Sequence, residues 1–131
     1  MARLFMILAG LNLLCGLVLS AYGAHAGALT PGEGAWFSFQ TATTIQLVHG
    51  LGLGLTGLSL GRIGATRLLY AAGLAHAAGV VLFSGGIYAK ALFAAYTLGP
   101  LVPWGGAALM VGWLLFTVAW SIGPHRSSDS R

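Results

Sequence analysis

Polar side chains inside long apolar stretches are the residues of this sequence whose types could carry chemistry. Gln46 and His49 stand three residues apart, so they share one face of a helix. Ser84 and Tyr88 lie in a later apolar stretch, where a helix–helix contact would bring them opposite that face. His25 ends the first apolar stretch. Together these groups could form a polar pocket within a membrane, in which His49 exchanges protons or binds a ligand.

The same residues also have a structural interpretation. Hydrogen bonds between helices in lipid contribute about 0.6–2 kcal/mol each, so Gln46, His49, Ser84 and Tyr88 could instead hold a helical bundle together. His25, at the end of its stretch, can be solvated at a membrane interface. The residue types and their spacing leave both interpretations open.

Haem, metal and enzyme chemistry have less support. A haem-binding electron carrier using His25, His49 or His76 is a third hypothesis, but counting residues along the stretches puts His49 and His76 most of a half-bilayer apart. The acidic residues, Glu33 and Asp129, lie in a turn and in the tail. There is no phosphate-binding loop and no nucleophile elbow. We therefore predict no catalytic residue, no metal site and no cofactor, and a protein that is not an enzyme.

The composition indicates the solvent in which these polar groups must be positioned. Of 131 residues, 57% are hydrophobic and 6% are charged, whereas a soluble domain carries about 25% charged residues. Continuous apolar stretches without alternating polarity favour membrane helices over a β-barrel. The net charge of +4 rests on six scattered basic residues, too few for a nucleic-acid surface. The single Cys15 excludes an internal disulfide.

Four uncharged stretches predict the elements that position the polar residues. Each is near the ~20 residues that cross a bilayer, and together they predict an all-α, four-transmembrane-helix bundle with spans at about 4–26, 43–61, 68–89 and 104–123. The bundle would form a single domain over residues 1–125, followed by a disordered cytoplasmic tail at 126–131.

The basic residues predict the orientation of this bundle in the cell's inner membrane. Arg3, Arg62, Arg67 and the two arginines of the tail fall on one side, and Lys90 falls on the other. The positive-inside rule then places both termini in the cytoplasm. As an alternative, the first stretch could be a signal peptide cleaved after Ala24-His25-Ala26. Its length and its small residues at helix-packing spacing favour a retained helix.

Glycines at spacings of three and four predict close helix contacts. Small residues let helix backbones approach in lipid, either within the bundle or between two copies of the chain. The residues with this predicted role are Gly50, Gly54, Gly57 and Gly61 in the second span and Gly105 and Gly106 in the last.

Several short motifs in order resemble one known family. They are Gly23-Ala24-His25-Ala26, Gln46-x-x-His49-Gly50, Phe83-Ser84-Gly85-x-x-Tyr88, Pro103-x-Gly105-Gly106 and Gly112-Trp113. Together they resemble the small membrane family catalogued as domain of unknown function 423, which includes YgdD-like bacterial proteins and is similar to eukaryotic transmembrane protein 256. The resemblance implies the four-helix fold and its topology over nearly the whole chain, and it implies no biochemical role.

Three functions remain as hypotheses. The leading one is a non-enzymatic accessory or scaffolding subunit that lies in the lipid bilayer and packs against a membrane-protein partner or as a homo-oligomer. The alternative is a minimal transporter or proton pathway built on Gln46, His49, Ser84 and Tyr88. The haem-binding carrier is the weakest of the three.

Overall fold

The described part of the chain consists of helices joined by short turns. The structure, a computed structural model, describes residues 1–25, 29–30, 32–64 and 66–122. The predicted tail at 126–131 and the predicted span ends at 26 and 123 lie outside these residues. In chain order the elements are α1 (Ala2–His25), α2 (Gly34–Arg62), α3 (Arg67–Val80), a π-helical turn (Val81–Gly85), α4 (Gly86–Phe93), a 3-10 turn (Tyr96–Leu101) and α5 (Val102–Ser121). From α3 to α4 the chain runs as one continuous helix, Arg67–Phe93.

Local chemistry sets where the helices begin and end. Gly32 and Gly64, which flank α2, have φ angles of 91° and 89°, a left-handed conformation that glycine adopts without a steric penalty. The Thr66 hydroxyl accepts a 3.2 Å hydrogen bond from the Leu69 backbone N–H, so it caps the first turn of α3. Ala94 ends α4 with a φ of 53°.

The helices pack as two antiparallel pairs. The α1 helix packs mainly on α2, α3 packs mainly on α5, and the pairs meet where α2 contacts α3. The α2 helix is therefore central, whereas α1 buries only Phe5, Ala9 and Gly16. Large apolar side chains on α1 and α5 are exposed on the outside of the bundle, which is the expected arrangement when lipid is the solvent.

Three of these helices are long and apolar enough to cross a membrane, judged by length and composition: Ala2–His25, Arg67–Phe93 and Tyr96–Ser121. The 29-residue α2 helix is long enough but more polar. It begins at Gly34, well before the predicted span start at Thr43. Its polar side chains, including Gln46, His49 and Thr56, are buried in the bundle.

Two apolar clusters enclose a polar layer. One contains Phe39, Ala42 and Tyr88, near the end of the bundle where α2 begins. The other contains Phe5, Leu53, Leu60, Leu69 and Ala119, toward the opposite end. Along α2 the buried residues between Ala42 and Leu53 are Thr43, Gln46, His49, Gly50 and Gly52. The polar candidates of the sequence thus lie midway along the central helix.

The glycines predicted to mediate packing differ in what surrounds them. A Cβ on Gly50 would lie 2.7 Å from Asn12 Nδ2, and one on Gly57 would lie 3.1 Å from the Ala2 carbonyl oxygen, so both face α1 closely. Gly54 faces the Ala9 Cβ at 3.6 Å.

In α5, Gly105 lies directly against the Phe83 backbone of the π-helical turn, and Gly106 lies near the Phe83 ring at 3.5 Å. The Gly61 prediction fails within the chain, because a Cβ there would meet nothing within 4 Å. Gly61 stands at the last turn of α2, beyond the end of the α1 contact.

Candidate functional site

The first part of the polar layer joins α1 to α2. The Asn12 Nδ2 amide donates to the Gln46 carbonyl oxygen at 3.0 Å, and the Gln46 Nε2 amide donates to the Asn12 carbonyl oxygen at 3.1 Å. This reciprocal pair is compact because Gly16 on α1 and Gly50 on α2 keep the helices close. Each hydrogen bond thereby pairs a side-chain N–H with a backbone oxygen of the other helix. Such pairing is needed where water is excluded.

The Gln46 side-chain amide is also hydrogen-bonded from the continuous helix that runs from α3 to α4. The Tyr88 hydroxyl donates to Gln46 Oε1 at 2.7 Å, and the Ser84 hydroxyl donates to the Ala42 carbonyl oxygen at 2.9 Å. Gln46, Ser84 and Tyr88 are all buried. We call Asn12, Gln46, Ser84 and Tyr88 the polar clasp, because its hydrogen bonds connect three helical segments.

The π-helical turn positions one member of the clasp. Ser84 lies within Val81–Gly85, where the helix widens by one residue per turn. The turn is also where α5 comes closest, since Gly105 contacts the backbone of Phe83 and Leu82. Ser84 therefore reaches α2 from a segment that is packed between α2 and α5.

One turn farther along α2, His49 is anchored to its own helix. Its Nδ1 lies 2.7 Å from the Ile45 carbonyl oxygen. Because a carbonyl only accepts, this contact assigns the proton to Nδ1 and leaves Nε2 with a free lone pair in the neutral ring. The side chain is buried, with 7% of its surface exposed.

His76, on α3, is the most unusual polar residue of the described chain. It is fully buried, and neither Nδ1 nor Nε2 has a hydrogen-bond partner among the described residues. Glycines on both neighbouring helices make room for the ring. A Cβ on Gly52 would lie 3.2 Å from Nε2, and one on Gly112 would lie 2.7 Å from Nδ1.

The His76 ring forms a cluster with the rings of His49 and Trp113. The His49 and His76 ring centres are 5.6 Å apart, and the Trp113 ring centre lies 5.0 Å from that of His76 and 6.1 Å from that of His49. We call His49 and His76 the histidine pair. It combines two imidazoles from different helices with one aromatic ring from a third.

The structure brings together some of the residues predicted from the sequence and separates others. Gln46, Ser84 and Tyr88 meet as expected, and His49 lies one turn away from Gln46. His25 does not join them, because it is exposed at the last residue of α1.

The predicted depth separation of His49 and His76 is wrong. It assumed that the second span starts at Thr43, whereas α2 starts at Gly34, which moves His49 from near the end of its helix to the middle. The sequence analysis also missed the role of Asn12. The signals that could have placed these residues were the glycines that pack against them: Gly50 against Asn12, and Gly52 and Gly112 against His76.

A haem does not fit between these histidines. A porphyrin ligated by His49 and His76 would need a wide open plane around the two rings, but the Trp113 ring centre lies 5.0 Å from that of His76, and Gly52 and Gly112 pack against the His76 ring. Among the described residues no group of three or more His, Cys, Asp or Glu side chains could hold a metal ion. Any ion at the histidine pair would therefore have two protein ligands of these types.

Comparisons with known proteins give a consistent family. A family model described as "Protein of unknown function (DUF423)" matches residues 19–106. The chain is similar to a UPF0382 membrane protein of Staphylococcus epidermidis, with 34% identity over 89% of this chain and 94% of the relative. It is also similar to one of Staphylococcus saprophyticus, with 34% identity over 88% and 95% of the two chains.

A third relative is the UPF0382 membrane protein YwdK of Bacillus subtilis, with 29% identity over 89% of this chain and 95% of the relative. No solved structure matches this chain. The similarity thus extends over nearly the full length of each relative. The residues matched by the family model include the histidine pair and, apart from Asn12, the polar clasp.

Proposed function

Because this chain belongs to the DUF423 family of membrane proteins, we propose that it is a non-enzymatic structural subunit of a membrane assembly, embedded by four transmembrane helices. The observation that carries this proposal is a lipid-facing groove between α1 and α2. The groove has a volume of about 440 Å³ and is lined by Met6, Ala9, Gly10, Leu13, Gly50, Leu51, Gly54, Leu55 and Leu58.

The topology rests on the burial pattern and on charge. Three helices qualify as spans by composition, and α2 packs between them with its polar side chains turned inward, so it crosses the same thickness. Arg3, Arg62 and Arg67 stand at one end of the bundle and Lys90 toward the other. By the positive-inside rule the arginine end, with both termini, faces the cytoplasm of the inner membrane.

The groove favours a helix over lipid as its occupant. Gly10 faces open space, with nothing within 4 Å of a Cβ, and small residues in lipid gain dispersion contacts only when another backbone approaches. Beside the groove, α1 exposes an apolar ridge at alternating spacings of three and four residues: Leu4, Ile7, Leu11, Leu14 and Val18. The ridge is complementary in shape to the groove, so the occupant we propose is α1 of a second copy.

The hydrogen bonding of the clasp supports a structural role over a solute pathway. Gln46, Ser84 and Tyr88 are each used in bonds to another helix. A pathway would need such groups free to exchange partners with water or solute. Their commitment to each other is what a rigid subunit requires.

Native mass spectrometry of protein extracted gently from its own membrane tests the proposal. We expect a homodimer that Gly10→Leu converts to monomer, because the new side chain would occupy the groove and its Cβ meets no atom of its own chain within 4 Å. Gly61→Leu is the matched control, since Gly61 also faces open space but lies outside the groove. A monomeric parent protein would contradict the proposal, and a complex with another protein would replace the second copy as occupant.

A further inference from the structure

The histidine pair has a property that the structural role does not explain. His76 is fully buried with both ring nitrogens unpaired among the described residues. A buried polar group without a partner costs free energy that an apolar side chain of the same size would not. Such a group calls for an explanation, and an ion is one of the standard ones.

Each ring of the pair has a nitrogen that is free to bind an ion. His49 uses Nδ1 against the Ile45 carbonyl oxygen, so its Nε2 carries the lone pair. His76 Nε2 faces the surface of α2 at Gly52, three residues after His49 on the same helix face. Because the two ring centres are 5.6 Å apart across the contact between α2 and α3, one ion between the rings is within reach of a nitrogen from each.

We propose that His49 and His76 bind a monovalent d10 cation of the Cu(I) class, with one imidazole nitrogen from each ring and the Trp113 ring beside it. Two imidazole nitrogens bound to one metal at about 2.0–2.1 Å place their ring centres at most roughly 6.4 Å apart, when the two bonds are collinear. The observed 5.6 Å between the ring centres lies within that limit and fits a bent two-coordinate arrangement.

The donor set selects the class of ion. Imidazole suits copper and zinc, but zinc sites take four ligands, of which at least three come from the protein, and no group of three of the usual ligand side chains exists in the described chain. The carboxylate that the structure describes, Glu33, caps the start of α2 at the end of the bundle and cannot balance a second positive charge. Two neutral imidazoles suffice for a monovalent ion that accepts two ligands.

Trp113 adds a contact suited to a cation. Its ring centre is 5.0 Å from that of His76 and 6.1 Å from that of His49, so an ion between the imidazoles lies within about 6 Å of an indole, the aromatic ring that attracts cations most strongly. Gly52 and Gly112 let the backbones of α2 and α5 approach the His76 ring closely.

The test is Cu(I) titration of the purified full-length protein in detergent, under anaerobic reducing conditions, in competition with a chromophoric Cu(I) chelator. All proteins carry Cys15→Ser, because Cys15 is an exposed free thiol and thiolates bind Cu(I) on their own. We expect one ion per chain and quenching of tryptophan fluorescence. X-ray absorption should show two nitrogen neighbours.

Four variants separate this site from background binding. We expect His49→Ala and His76→Leu each to weaken Cu(I) affinity by more than the 10–100-fold typical of outer-shell changes, and His25→Ala to have no effect because His25 is exposed at the end of α1. Trp113→Phe should retain the ion but lose most of the fluorescence change. Circular dichroism confirms that each variant is folded.

The proposal would be overturned by a parent protein that competes for neither Cu(I) nor Ag(I), by folded His49 and His76 variants that bind as tightly as the parent, or by Zn(II) binding in preference to Cu(I). None of these outcomes depends on the oligomeric state, so the structural-subunit proposal and the cation site can fail separately.

Discussion

The polar clasp and the histidine pair lie one helical turn apart on α2, and they use their hydrogen-bonding groups in opposite ways. In the clasp, Gln46 donates to Asn12 and accepts from Tyr88. In the histidine pair, His49 is bonded only to its own helix, and His76 has no partner among the described residues. Gln46, Ser84 and both histidines are buried, so the difference lies in pairing and not in exposure.

Pairing determines what each region contributes to stability. A buried hydrogen bond makes a modest net contribution to the free energy of unfolding. An unpaired buried donor or acceptor lowers that free energy, because its desolvation is not offset by a hydrogen bond. The clasp should therefore stabilise the bundle and His76 should destabilise it. Four substitutions, each with a matched control, test this contrast from the largest expected effect to the smallest.

The close packing of His76 gives the largest expected effect. In Gly112→Ala the new Cβ would lie 2.7 Å from His76 Nδ1, and overpacking of this kind costs about 1–3 kcal/mol. Gly106→Ala on the same helix meets only the Phe83 ring at 3.5 Å and should be neutral or slightly stabilising. Reversible unfolding in mixed detergent micelles compares the two, and equal stabilities would show that the ring has room to move.

The clasp gives the next effect. Gln46→Leu removes the bonds to the Asn12 carbonyl and the Tyr88 hydroxyl. We expect a loss of about 1–3 kcal/mol in the free energy of unfolding, since single interhelical bonds in lipid range from about 0.6 to 1.7 kcal/mol. The control is Gln40→Leu, two turns earlier on α2, whose side chain forms no hydrogen bond with the described residues. If both variants unfold alike, the clasp adds no stability.

The polar clasp could be predicted from the sequence better than the histidine pair could. The three-residue spacing of Gln46 and His49 and the apolar stretches around them define one helix face whatever the exact helix ends are. Membrane composition and helical class follow in the same way, because 6% charged residues cannot cover a soluble surface. The family resemblance is confirmed by the matching family model and by the relatives.

The histidine pair was not predictable by counting residues. Charge-free length defined the second span, but the uncharged, weakly polar segment from Gly34 to Ala42 is also helical, and omitting it shifted His49 by more than two turns. The π-helical turn adds a further local offset in the opposing helix. Depth along a helix thus depends on where the helix begins, and glycine-rich, threonine-rich sequence marks that point poorly.

Unlike the two previous substitutions, His76→Leu should stabilise the protein. An apolar side chain of similar volume removes two unpaired nitrogens and loses no hydrogen bond within the described chain, so we expect the free energy of unfolding of the metal-free protein to rise by up to about 1 kcal/mol. His49→Leu, which gives up the contact with the Ile45 carbonyl, should not be stabilising. Thermal unfolding of both variants in the presence of a Cu(I) chelator provides the measurement. A destabilised His76→Leu protein would mean that His76 has a partner that holds the bundle together.

The smallest effect separates a bond between helices from a bond within one. Ser84 donates to the Ala42 carbonyl oxygen across the α2 contact at 2.9 Å, whereas Ser38 donates to the Gly34 carbonyl oxygen in its own first turn at the same distance. Ser84→Ala should lower the free energy of unfolding by about 0.6 kcal/mol, the average for an interhelical bond in a membrane protein. Ser38→Ala should leave it unchanged, because its carbonyl partner is exposed near the helix end. If the two variants are equally stable, the Ser84 hydrogen bond contributes nothing measurable. The π-helical turn would then stabilise the bundle through its close contact with Gly105 of α5 and not through the clasp.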